Sequence, residues 1–130
     1  MAHFTQNKHL DYSGLIMLGS LAVNASLQTA RTLFLDREQC ETYYSYKEKK
    51  EVSLEVQFES SVLTCLFDNN NTCERVFLLV DTAIDFVHCI EYCCNTFPMH
   101  EGPRGWETNH CLIQIYIDNQ QEYGLSISPI

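Results

Sequence analysis

Strict alternation of apolar and polar side chains over residues 52–59 is the feature that most limits how this chain can fold. Apolar residues stand at every second position of the segment: Val52, Leu54, Val56, Phe58. Because successive side chains of a strand point to opposite sides of a sheet, this period of two predicts a strand with one buried and one wet face. Such strands belong in an antiparallel sheet that is packed on one side.

Further segments of strand length follow on both sides of this one. They span residues 42–47, 62–67, 75–80, 111–117 and 123–128. Residues 75–80 have two interpretations. We favour a strand followed by a helix over 82–95, which Thr82 caps with Asp85 three positions later. The alternative is one continuous helix over 72–95.

Apolar residues at helical spacing predict a first helix over residues 13–29, with Ser13 as its N-cap. Residues 31–35 either continue this helix or form a short strand, and residues 1–12 are predicted to be flexible. The chain is 130 residues long, which suits one domain. The predicted fold is a single α+β domain over 1–130, with a mainly antiparallel sheet of about six to seven strands and two helices packed on one face.

The apolar side of each periodic segment gives a predicted core. Its members are Leu15, Leu18, Val56, Phe58, Leu66, Val80, Val87, Ile90, Ile113 and Ile115. The last predicted strand ends beside Pro129, and we expect its edge to be open to pairing with another chain.

The net charge of the chain limits which classes of partner it is expected to bind. Seventeen acidic residues against eight basic ones give a net charge of −9. Direct binding of nucleic acid needs a concentrated basic surface, so we expect none. The apolar stretch Leu15–Ala25 is too short to span a membrane, and no membrane partner is predicted.

Seven cysteines, an odd number, lie mostly inside apolar patterns. This usage is typical of reduced, buried thiols and predicts an intracellular protein, cytoplasmic or nuclear. A secreted protein is the alternative, because Leu15–Ala25 has the length of a signal-peptide core and Val23-Asn24-Ala25 resembles a cleavage site.

Four residues are weak candidates for a zinc site: Cys89, Cys93, His110 and Cys111. Cys89 and Cys93 share one face of the predicted helix, and the other two would complete four ligands. Their spacing lacks the short hairpin of most zinc sites, so we predict no metal and no cofactor. Nor does any segment match a nucleophile or phosphate-binding motif, and no enzymatic activity is predicted. A zinc-stabilised domain or a small thiol enzyme remains an alternative.

The loop over residues 97–108 is the predicted partner-binding segment. It contains two prolines and two glycines around Arg104 and Trp106, and tryptophan and arginine dominate binding hot spots. We therefore predict that Arg104, Trp106, Met99 and Tyr123 contact a protein partner. The alternative is that Trp106 folds back as a lid on the sheet.

The predicted order of elements resembles one domain of a DNA sliding clamp of the proliferating-cell nuclear antigen and checkpoint clamp family. Residues 52–56, residues 76–80, the helix from Thr82 and the closing hairpin 111–128 carry the resemblance. It implies a clamp-like subunit of a DNA-maintenance complex. Clamp chains join at least two such domains, however, and their helices present Lys and Arg to DNA. Neither predicted helix contains a Lys or an Arg.

The combined expectation is a non-enzymatic protein–protein interaction module, an adaptor or a subunit of a homo- or hetero-oligomer. It would bind through a sheet edge or an apolar helix face. The clamp-like subunit is the alternative in the nucleic-acid class.

Overall fold

The computed structural model describes residues 11–46, 49–100, 102 and 104–130, and all seven strands of this part form one antiparallel sheet. The predicted α+β class is confirmed. In chain order the elements are α1 (Tyr12–Ala22), α2 (Leu27–Leu33), β1 (Gln39–Tyr46), β2 (Lys49–Gln57), β3 (Ser61–Phe67), β4 (Cys73–Val80), α3 (Ala83–Thr96), β5 (Trp106–Glu107), β6 (Cys111–Ile117) and β7 (Tyr123–Pro129). In these ranges no helix combines the length and the apolar character that crossing a bilayer requires.

The strands are ordered β1-β2-β3-β4-β7-β6-β5 across the sheet. Strands β1 to β4 form one meander and β5 to β7 form another, because each pairs with its neighbour in sequence. The two meanders join where β4 pairs with β7, with Val76 opposite Ile127. Strand β7 therefore lies inside the sheet, and the prediction of an open edge at the last strand is wrong.

The helices pack on one face of the sheet. Gly19 of α1 is so close to it that an added Cβ would lie 2.8 Å from Ile127 Cδ1 and 3.4 Å from Val76 Cγ1. Arg31 of α2 pairs with Glu41 of β1, and Phe86 of α3 stacks on Tyr123 of β7. The residues from the sheet in these contacts all lie on the same side of it, as the strand registers show. The core is the layer between this face and the helices.

The predicted helix over residues 13–29 is two helices. Helix α1 ends at Ala22, and Asn24 adopts a positive φ of 69° that interrupts the helical backbone. The Asn24 amide donates to the Cys73 carbonyl at 2.8 Å, and the Cys73 amide donates to the Ala25 carbonyl at 2.8 Å. These long-range hydrogen bonds compete with the helix and end it. Helix α2 then extends to Leu33, so a strand over residues 31–35 is also excluded.

The start of α1 also differs from the prediction. Asp11 is the N-cap instead of Ser13, since its carboxylate accepts a hydrogen bond from the Gly14 amide at 3.0 Å. Residues 1–10 of the segment predicted to be flexible lie outside the described residues, whereas Tyr12 is part of α1.

The strand-then-helix interpretation of residues 75–95 is confirmed. Helix α3 begins after Thr82, whose hydroxyl oxygen accepts a hydrogen bond from the Asp85 amide at 3.1 Å. The same hydroxyl donates to the Asp85 carboxylate at 3.0 Å. This reciprocal cap fixes the chain reversal between β4 and α3.

The predicted core is confirmed in part. Four members are buried: Leu15, Val56, Val80 and Ile113. Three members pack, partly buried, against the core: Leu18, Phe58 and Ile90. Val87 and Ile115 are 51 % and 49 % exposed, and Leu66 lies on the face of the sheet opposite the helices, so the prediction of these three as core residues is wrong. Periodicity identifies the side on which a residue lies, but it does not show how far the covering layer extends.

Candidate interaction surface

The second face of the sheet lies opposite the helices, and none of the three helices in the described ranges covers it. We call this surface the open face. Its middle lies on four neighbouring strands, β3, β4, β7 and β6, and each strand contributes three residues at alternate positions. The strand registers and the contacts with the helices show which residues these are. They are Val62, Thr64, Leu66, Arg75, Phe77, Leu79, Leu112, Gln114, Tyr116, Gly124, Ser126 and Ser128.

The middle of the open face has almost no charge. Among these residues Arg75 alone is ionised at neutral pH, although a quarter of a typical surface is charged. Half of the set is apolar or aromatic and partly buried: Val62, Leu66, Phe77, Leu79, Leu112, Tyr116. A sheet face that meets only water is usually polar, so this face has the composition of a surface that a partner covers.

An aromatic pair lies at the centre of the open face. The rings of Phe77 on β4 and Tyr116 on β6 are 4.7 Å apart between centroids and tilted by 50°. They meet across β7, where Gly124 and Ser126 present little or no side chain between them. The small residues of β7 therefore allow two strands that are not neighbours to form one continuous aromatic surface.

A groove of about 440 Å³ lies beside this pair, and we call it the basic groove. Arg75 of β4 and Arg104, from the loop before β5, both line it. The Gln114 side-chain amide donates to the Arg104 carbonyl at 3.3 Å and holds this loop against β6. Among the described residues, Arg31 forms an ion pair with Glu41 and the His100 imidazole lies 3.1 Å from the Glu107 carboxylate, and neither contact uses an arginine of the groove.

A second groove, of about 310 Å³, begins farther along the same strands, and we call it the acidic groove. Its lining includes the carboxylates of Glu55, Asp81 and Glu122 together with the side chains of Val62 and Leu79. The open face thus has an apolar centre with opposite charges at its two ends.

The structure separates the predicted partner-binding residues. Trp106 is only 4 % exposed and lies opposite Ile113 on the helix side of the sheet, so the structure favours the alternative in which Trp106 folds back on the sheet over an exposed anchor. The short strand β5 places the ring of Trp106 in the core. Arg104 and Met99 are exposed, and Tyr123 stacks on Phe86 at 5.0 Å while it borders the acidic groove. Contact of these three residues with a partner stays a prediction.

Sequence reasoning did not identify Arg75, Phe77, Leu79 or Tyr116 as surface residues of interest. The signal was present in β4, where Arg75, Phe77 and Leu79 alternate with the buried residues Val76, Leu78 and Val80. The side chains of β4 point alternately to the two faces of the sheet, and both groups contain large apolar residues. The alternation alone therefore does not show which group faces the helices.

The candidate zinc ligands do not form a site. Cys89 and Cys93 are buried on α3, and Cys111 is buried on β6 with its Sγ 3.9 Å from the Ser20 carbonyl oxygen. His110 is exposed. Within the described ranges, no group of three or more His, Cys, Asp or Glu side chains is arranged to hold a metal ion.

The two buried thiols of α3, those of Cys89 and Cys93, are not activated. Burial raises the pKa of Cys89 and that of Cys93 to about 12, which leaves both protonated at neutral pH. Asp85 accepts a hydrogen bond from the Tyr12 hydroxyl at 3.2 Å. Desolvation and this carboxylate together raise the pKa of Tyr12 to about 12. The arrangement ties α1 to α3 and offers no low-pKa nucleophile.

Burial also predicts which cysteines react. Cys40 and Cys94 are exposed and the other five of the seven cysteines are buried. We expect iodoacetamide to modify these two rapidly in the native protein and the remaining five only in denaturant, as peptide mass spectrometry would show. Equally rapid modification of Cys89 or Cys111 would contradict the packing of α1 and α3 on the sheet.

Comparisons with protein-family models, curated proteins and solved structures found no match. The resemblance to sliding clamps therefore stays a prediction.

Proposed function

We propose that this protein is a non-enzymatic protein–protein interaction module that binds its partner through the open face. The observation that carries the proposal is the near absence of charge from the middle of this face in a chain of net charge −9. Covering the apolar side chains there would contribute about 25 cal/mol for each Å² of apolar surface removed from water. The aromatic pair of Phe77 and Tyr116 supplies the large, rigid contact area that is typical of binding centres.

The charges around this centre favour a protein partner. Two arginines line one groove and three carboxylates line part of the other. A polyanion such as nucleic acid would be attracted by the first groove and repelled by the second and by the whole molecule. Protein surfaces, by contrast, commonly match patches of both signs.

Leu79→Lys is expected to weaken partner binding at least tenfold, because it places a charge among the apolar residues of the open face. Leu79 is partly buried on β4, and a lysine stem can follow the apolar surface while its ammonium group reaches water. Binding is measured by titration of a partner identified by cross-linking and mass spectrometry, and a thermal melt checks the fold.

Ile84→Lys is the matched control. Ile84 is 68 % exposed on α3, on the opposite side of the molecule, and we expect this variant to bind as the unmodified chain does. If Ile84→Lys lost binding and Leu79→Lys retained it, the partner surface would be the helix layer and the proposal would be wrong.

A further inference from the structure

We propose that the partner covering the open face is a second copy of this chain, packed face to face about a two-fold axis. This inference rests on the proposed function and names its occupant. In the dimer, the basic groove of each copy meets the acidic groove of the other. The structure supports it through the charge order along β4, the presence of both charge signs on one face, and the area of that face.

Strand β4 displays the charge order most simply. Its residues on the open face are Arg75, Phe77 and Leu79, and Asp81 follows at the end of the strand. At about 3.4 Å per residue, the positive and negative ends of this row are about 20 Å apart. A second β4 that crosses the first in the opposite direction sets Arg75 against Asp81 of the other copy and Phe77 against its Leu79.

The remaining charges extend the same match. A two-fold axis that lies in the interface at right angles to β4 keeps each strand over its own copy, so it brings Arg104, beside β6, toward the Glu122 carboxylate that precedes β7 of the other copy. Such an axis makes every contact twice, so two sets of opposite charges close the interface. The net charge of −9 on each copy opposes association at long range, but physiological salt screens this repulsion beyond about 8 Å.

The open face is large enough for a stable dimer. Six strands of seven to nine residues, spaced by about 4.8 Å, cover roughly 700 Å² together with the two-residue strand β5. Two such faces would bury about 1,400 Å² in total, which lies within the range of stable protein interfaces. Antiparallel sheets commonly stack in this way, about 10 Å apart, with interleaved side chains.

Charge reversal at the two ends of the β4 row tests the dimer. Sedimentation equilibrium of the full chain at about 100 µM should show a dimer, because interfaces of this size reach micromolar or tighter dissociation constants. Arg75→Glu and Asp81→Arg each set like charges against each other in both halves of the interface. Each alone is expected to weaken dimerisation at least tenfold. Both side chains are exposed, so far-ultraviolet circular dichroism should show an unchanged fold.

An equimolar mixture of Arg75→Glu and Asp81→Arg chains is the decisive sample. In the mixed dimer, opposite charges face each other at both ends again, so heterodimers should form with nearly the original affinity. Lys50→Glu is the matched control for Arg75→Glu, since it makes the same change in net charge at an exposed position that alternates onto the helix side of β2. This variant should remain dimeric.

Three results would overturn the inference: a monomeric unmodified chain, an undiminished dimer in both single variants, or a mixture that stays monomeric. The outcomes distinguish a failure of the dimer proposal from a failure of the proposed function. A monomeric chain whose binding to a different protein is lost in Leu79→Lys leaves the proposed function intact. A dimer that persists in Arg75→Glu, Asp81→Arg and Leu79→Lys would show that the chain associates through another surface, and the dimer proposal would fail. The proposed function would fail as well only if Leu79→Lys also kept its binding to the cross-linked partner.

Discussion

Trp106→Ala is expected to reduce the free energy of unfolding by about 3–5 kcal/mol, the cost of removing a large aromatic side chain from a packed core. The Trp106 side chain is 4 % exposed and lies opposite Ile113, which is fully buried. Strand β5 is only two residues long, so few other contacts hold this edge of the sheet. Urea denaturation followed by far-ultraviolet circular dichroism measures the change, since the variant lacks the only tryptophan of the chain.

Two companion variants make the result specific. Trp106→Phe should cost less than Trp106→Ala, because it keeps most of the ring and removes an indole N–H that has no hydrogen-bond partner in the described residues. Arg104→Ala, two positions away and exposed, should change stability by less than about 0.5 kcal/mol. If Trp106→Ala melted like the unmodified chain, the ring would not be part of the core, and its prediction as a partner anchor would regain support.

Gly124→Ala is expected to destabilise the protein by more than about 4 kcal/mol, the level that marks a specific structural defect. A Cβ at Gly124 would lie 1.8 Å from the Leu78 carbonyl oxygen and 2.8 Å from the Leu78 carbonyl carbon. Both are backbone atoms of the neighbouring strand, so β4 and β7 would have to separate. Soluble yield and the unfolding midpoint measure the effect.

Gly102→Ala is the control for this change. A Cβ at Gly102 would approach only the His100 ring, at 3.3 Å, and a side chain can move aside. We expect its midpoint to stay within a few degrees of that of the unmodified chain. If Gly124→Ala behaved in the same way, the pairing of β4 with β7 would be less close than the structure shows.

Local patterns in the sequence predicted much of the fold. The alternation over residues 52–59 gave β2, and the Thr82 cap gave the start of α3, because both signals depend on residues close together in the chain. The break after Ala22 was not predictable in this way. It depends on two hydrogen bonds with Cys73, a residue far along the chain: Asn24 donates one to the Cys73 carbonyl, and Ala25 accepts the other from the Cys73 amide.

The open face and the burial of Trp106 needed the tertiary structure for a similar reason. In β4, Phe77 and Leu79 on one side are as apolar as Val76 and Leu78 on the other, so composition does not assign the helix layer to either. Trp106 stands in a loop rich in Pro and Gly, a composition typical of exposed segments. Only its pairing with Ile113 across β5 and β6 places its ring in the core.

The pairing of β4 with β7 also sets the order in which the molecule can assemble. Every other strand pair joins neighbours in sequence, whereas Val76 and Ile127 are separated by a chain of about 50 residues that includes α3, and the entropy of loop closure grows with that length. We therefore expect the two meanders to form early from local contacts and their union to be the slow, late step of folding. Until it occurs, the facing edges of β4 and β7 present unpaired backbone groups to any other chain, so newly made copies are most exposed to misassembly at this one boundary.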